Sequence, residues 1–133
     1  MKRRSPSHPG GRLRGLRTLI GNDVYNLDTD ELGDIVDIVL DMGTGRIGFA
    51  VLRCHVMPSL GARLVAVPWR RLTLNTRLRC FVLDLSVDRL AGAPAFDANH
   101  WPDMADTQWQ LAVHRYHGGR SPKPMSGNAP TRP

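Results

Sequence analysis

The stretch from Glu31 to Leu52, Glu-Leu-Gly-Asp-Ile-Val-Asp-Ile-Val-Leu-Asp-Met-Gly-Thr-Gly-Arg-Ile-Gly-Phe-Ala-Val-Leu, constrains the fold more than any other part of the chain. Spacing alone would allow a helix over 34–42. The β-branched side chains and the glycines at both ends argue against it, because branching at Cβ suits a pleated strand and crowds a helical turn. Gly43-Thr44-Gly45 separates two strand-like runs, so the whole segment reads as one β-hairpin. Strict alternation places Val36, Ile38 and Leu40 on one face, with Ile35, Asp37, Val39 and Asp41 on the other. Beyond the turn, Ile47, Phe49 and Val51 then oppose Gly48, Ala50 and Leu52.

Further β segments flank the hairpin. Leu16 to Ile20 is a short apolar run closed by the turn cluster Gly21-Asn22-Asp23. Arg63 to Val67 is apolar on both faces, as a barrel wall can be, and Pro68 must lie at its end because it donates no ladder bond. Cys80 to Leu85 is another strand. Ser86 can cap a short helix through Ala91. Asp106 can cap a second, along which Trp109, Ala112, Val113 and Tyr116 form one apolar stripe, with Gly118 placed to end it. That helix is expected to lie across a barrel or plug its open end. The fold class is mainly β, a small β-barrel with a C-terminal helical segment.

At 133 residues the chain holds one domain, expected over residues 16–118. The flanks 1–15 and 119–133, mixed from Gly, Pro, Ser and Arg, lack the apolar surface that would offset ordering, and are expected to be disordered. No apolar run is long enough to cross a membrane, and no hydrophobic segment follows the basic N-terminus as in a signal peptide, so a cytoplasmic location is expected.

Net charge is +6, but it resides in the flanks. Residues 1–17 carry six basic groups and no acid, residues 120–133 carry three and no acid, and the body between has nine arginines against all twelve acids. Within the body, Asp23 to Asp41 is wholly acidic, whereas Arg46 to Arg79 is wholly basic. Paired as neighbouring strands, these segments should form cross-strand ion pairs on the solvated face.

No pattern carries a reaction. Asp28-Thr29-Asp30-Glu31 suggests a calcium loop until Leu32 and Val39 fall where oxygen ligands are needed, so it reads as a turn between strands. Asp34, Asp37 and Asp41 have no His or Lys beside them in sequence to form an acid–base pair. Cys54 and Cys80 read as buried cytosolic thiols rather than a bridge. Cys54-His55 with Cys80 lacks zinc-site spacing, and His114 with His117 reads as a solvated helix end favoured by the macrodipole. Catalytic, metal and cofactor sites are therefore expected to be none. Trp69 and Trp109 should pack in the core or at the barrel end, and Trp101 can face a partner.

Leu19-Ile20-Gly21-Asn22-Asp23-Val24-Tyr25, then Gly33-Asp34-Ile35-Val36-Asp37, Asp41 with Gly45-Arg46, and Val65-Ala66-Val67-Pro68-Trp69 resemble the PRC-barrel family. Leu90, Ala93-Pro94, Phe96, Trp101-Pro102 and Trp109 to Tyr116 resemble the tail of its stand-alone bacterial members, so the likeness spans about 18–117. It implies a six-stranded barrel like that of the photosynthetic reaction-centre H subunit's cytoplasmic part and of a ribosome maturation factor's C-terminus. Both are docking modules rather than enzymes. The segment His55-Val56-Met57-Pro58-Ser59-Leu60-Gly61 departs from the family, which is glycine-rich there.

The expected function is a non-enzymatic protein-interaction module that self-associates into a homo-oligomer, with Trp101, Arg70, Arg71, Arg77 and Arg79 as interaction residues. The alternative is an RNA- or ribosome-associated protein binding through its basic flanks.

Overall fold

A computed structural model describes residues 13–55 and 63–118. The segments expected to be disordered and the altered loop fall largely outside these residues. Seven strands form one sheet: β1 Asp23–Tyr25, β2 Glu31–Asp41, β3 Arg46–Cys54, β4 Arg63–Pro68, β5 Leu72–Asn75, β6 Cys80–Leu83 and β7 Ala95–Asp97. Helix α1, Val87–Ala91, precedes β7, and helix α2, Thr107–Gly118, follows it. The strand order is β5-β6-β1-β2-β3-β4-β7, antiparallel throughout except for the parallel β1–β6 pair. β5 and β7 end the sheet without pairing to each other, so the barrel is open.

The run Leu16–Thr18 is a 3-10 turn rather than a strand. Strand pairing begins after it, where the Gly21 N–H donates to Ile35 O and the Ile35 N–H donates to Asn22 O. The short strands β5 and β7 carry too few residues to show a period. The acidic cluster is the turn it was expected to be: buried Asn26 accepts the Asp28 and Asp30 N–H groups at 3.0 and 2.9 Å through its side-chain oxygen.

The central hairpin forms, but its alternation breaks twice. Ile35 pairs with Leu52 and Asp37 with Val51, leaving Val36 as an extra residue. Val39 pairs with Phe49 and Leu40 with Ile47, leaving Gly48 extra on the other strand. Each extra residue is a β-bulge, which re-aims the side chains beyond it. Ile35 and Ile38 therefore enter one core together, and Val36 and Val39 face the other. Ile47 is returned to the face opposite Phe49 and Val51.

Two apolar cores lie on the two faces of β3 and β4. Val24, Leu32, Ile35, Leu52, Val65, Val67, Phe81, Leu83 and Leu90 fill the inside of the curled sheet. Phe49, Val51, Leu64, Ala66 and Phe96 face outward, where Val113 and Trp109 of α2 cover them. Helix α2 thus lies across the outer face, packed on β4. With both faces buried, β3 and β4 must be apolar at nearly every position.

Candidate protein-docking edge

The four expected interaction arginines fall on either side of the edge strand β5. Its start is set by Pro68, which ends β4, and by a 3-10 turn at Trp69–Arg71 that carries Arg70 and Arg71. Trp69 anchors this turn edge-on against Phe81, with ring centroids 5.6 Å apart. Beyond β5, the loop Thr76–Arg79 carries Arg77 and Arg79. The Asn75 side chain shapes that loop by accepting the N–H groups of Arg77 at 3.1 Å and Leu78 at 3.0 Å. Arg79 has φ of 57°, in the left-handed region that an arginine enters only at a cost.

Among the described residues the outer edge of β5 has no strand neighbour, so its outward backbone N–H and C=O groups are open to a partner strand. Leu74 and Leu78 are exposed beside it. At about 3.3 Å per residue, the strand between the two basic groups is roughly 13 Å long. Among the described residues no carboxylate lies within ion-pair distance of Arg70, Arg71, Arg77 or Arg79.

The four are not equivalent. Arg77 and Arg79 are exposed. Arg70 is exposed too, but it reaches the last residue of α2, its Nη2 lying 3.1 Å from where a Cβ on Gly118 would stand. Arg71 is half-buried, and its Nε is enclosed without a hydrogen-bond partner. Trp101 belongs to the other sheet edge, after β7. It is 41% exposed, yet it stacks on Phe96 at 5.1 Å and donates its indole N–H to Ala98 O at 2.9 Å.

Three sequence expectations are corrected here. The acidic and basic segments pair sparingly: Arg53–Asp34, at 3.3 Å, is the arginine–carboxylate bridge formed among the described residues. Pairing needs facing registers, and of the strands in the basic segment only β3 lies against the acidic strand β2. Second, Asp34, which has no histidine beside it in sequence, gains one in space. The β2–β3 pairing brings His55 to 2.7 Å from Asp34 and 3.3 Å from Glu31, a half-exposed cluster of residues 21 and 24 positions apart in sequence.

Third, His114 and His117 are not solvated. Each is only 6% exposed, and none of their four ring nitrogens has a hydrogen-bond partner. Helix α2 is rotated about its axis so that Ala112 faces solvent while Val113, His114 and His117 face the sheet. Burial pushes His114 down to about 4, helped by Arg70. Burial likewise lowers His117 to about 4, helped by Arg71, Arg89 and His114; the Ala66 backbone pulls weakly the other way without reaching hydrogen-bond geometry. The thiols do match expectation: Cys54 and Cys80 are free and buried, and burial raises Cys54 to about 11.

A sequence model of the PRC-barrel domain matches residues 12–89. The chain belongs to the PRC-barrel family. The match takes in β1 to β6, and so includes the β5 edge with its arginines. It ends before β7 and α2, so the C-terminal likeness read from the sequence extends further than the family match does. No curated protein matches the chain. Among the described residues of this PRC-barrel protein, no helix is long and apolar enough to cross a membrane.

Proposed function

We propose that this PRC-barrel protein is a non-enzymatic docking module acting in the cytoplasm, and that its β5 edge adds an extended acidic segment of a partner as a further strand. One observation carries the reading: an open sheet edge is bounded by Arg77 and Arg79, neither with an acid partner among the described residues, and Arg79 is held in a backbone conformation that opposes its own side chain. Strand addition supplies backbone hydrogen bonds, and the flanking guanidiniums select for carboxylates.

The same charges bear on self-association. Pairing β5 with a second β5, in either direction, sets arginine against arginine, which opposes a symmetric edge dimer. Self-association then takes a head-to-tail form, in which the acidic turn with Asp28, Asp30 and Glu31 of one copy meets the basic edge of the next.

The test combines light scattering on the eluting protein with binding of a short peptide of alternating Glu and Val. Arg77→Glu with Arg79→Glu is expected to abolish peptide binding. Equal binding by that variant, or no binding by the wild type together with a strict monomer, refutes the proposal.

The composition of the flanks supports a second reading, RNA binding, because nine bases lie in residues 1–17 and 120–133 without an acid. Such binding is dominated by counterion release, so affinity should fall steeply with salt and vanish when both flanks are deleted.

A further inference from the structure

We infer that helix α2 is an acid-released cover: proton uptake by His114 and His117 detaches the helix and uncovers the outer apolar face of β3 and β4. The inference stands apart from the β5 docking reading and can hold without it.

The geometry has three parts. Both imidazoles are enclosed between α2 and the sheet, His114 with its ring 5.2 Å from Phe49; among the described residues their nitrogens make no hydrogen bond, and the Ala66 backbone favours an added proton on His117 only weakly. A buried polar group without a partner stays only while neutral, because the charged form loses water and gains nothing in return.

Every charge that couples to them is also positive. The turn after β4 contributes Arg70 and Arg71, and α1 contributes Arg89. From α2 itself come the two histidines and Tyr116, whose ring lies 5.4 Å from His117. From β3 and β4 come Phe49 and the Ala66 backbone, neither of which titrates. Among the described residues, a charged His114 meets the Arg70 guanidinium, a charged His117 meets those of Arg71 and Arg89, and no carboxylate couples to either.

The guanidiniums are otherwise well placed. Arg89 donates to Tyr116 O at 2.9 Å, accepts the Tyr116 hydroxyl on its own carbonyl at 2.6 Å, and lies 4.1 Å over the phenol ring. With Arg70 over Gly118, these cations suit the negative end of the helix. The clasp is favourable while the histidines are neutral and self-repelling once they are not. What it covers, Phe49, Val51, Leu64, Ala66 and Phe96, is a contiguous apolar face, and α2 lies outside the residues matched to the family.

The test is an NMR pH titration of the full chain from 7.5 to 3.5, with binding of a hydrophobic dye followed in parallel. The Trp109 indole resonance, shifted by Phe49 at 5.3 Å, should move to its unpacked position while β2–β3 amides stay protected. Dye binding should rise with it. Release coupled to two protons steepens to about a 100-fold change in the equilibrium per pH unit.

His114→Phe with His117→Leu should keep Trp109 packed throughout the range. Where that variant does not fold, the wild-type imidazole resonances decide instead: they should titrate together with Trp109 release. Three results overturn the inference: imidazoles that titrate near 6.5 with Trp109 still packed, a double variant that releases α2 as the wild type does, or loss of β2–β3 protection at the same pH as α2.

Discussion

Gly45 and Arg79 hold the same place in two hairpin loops of one design. In each, the last residue of the incoming strand, Asp41 or Asn75, accepts two loop N–H groups through its side chain. In each, the fourth loop residue is left-handed, with φ of 76° at Gly45 and 57° at Arg79. Glycine enters that region freely and arginine does not. The loop beside the candidate docking edge therefore carries a cation at the expense of backbone comfort.

Replacing that arginine separates the two roles. Arg79→Gly should stabilise the fold by about 1 kcal/mol, the ordinary cost of a left-handed non-glycine residue, and should weaken binding of the acidic peptide. Gly45→Ala should destabilise by a similar amount. Urea denaturation of the three proteins checks the signs, and peptide titration checks the loss.

Gly33 should tolerate nothing larger. A Cβ there would stand 2.0 Å from the Arg53 carbonyl oxygen, which is backbone and cannot step aside. Gly33→Ala must part β2 from β3 and should cost about 3 kcal/mol or more, visible as a lower urea midpoint.

Stability should fall as the solution is acidified below pH 6.5. Both histidines are lowered from 6.5 to about 4 in the folded state, so between those values the unfolded chain binds more protons. Stability is then complete above 6.5 and declines toward 4, by about 1.4 kcal/mol per pH unit for each histidine. Denaturation in buffers across that range measures the slope, and His114→Phe with His117→Leu should remove most of it.

Neither cysteine should react in the native protein. Cys54 combines burial with a thiol raised to about 11, and Cys80 is as enclosed. A chromogenic disulfide reagent at pH 8 should find no fast thiol, and both after unfolding.

Much of this was legible in the chain. The hairpin at 31–52, the doubly buried strand at 63–67 and the turn at 26–30 follow from local residue type, because branching, glycine and Asn or Asp act over a few neighbours. The PRC-barrel resemblance rests on these same local strand and turn residues. The bulges at Val36 and Gly48 were not legible, since an extra residue is defined only by the partner strand's register.

The candidate site divides in the same way. Composition singled out Arg70, Arg71, Arg77 and Arg79, but only tertiary packing turned the first two toward α2 and left the last two on an open edge. His114 and His117 show the limit most clearly. Sequence determines that they share a helix three residues apart; whether that face meets water or a sheet depends on the rotation of α2 against β4. That rotation is set by Val113 and Trp109 seeking Phe49 and Phe96, contacts between segments distant in the chain. Local chemistry was written in the order of residues, whereas burial, and with it the charge state of both histidines, was decided only by what the fold placed against them.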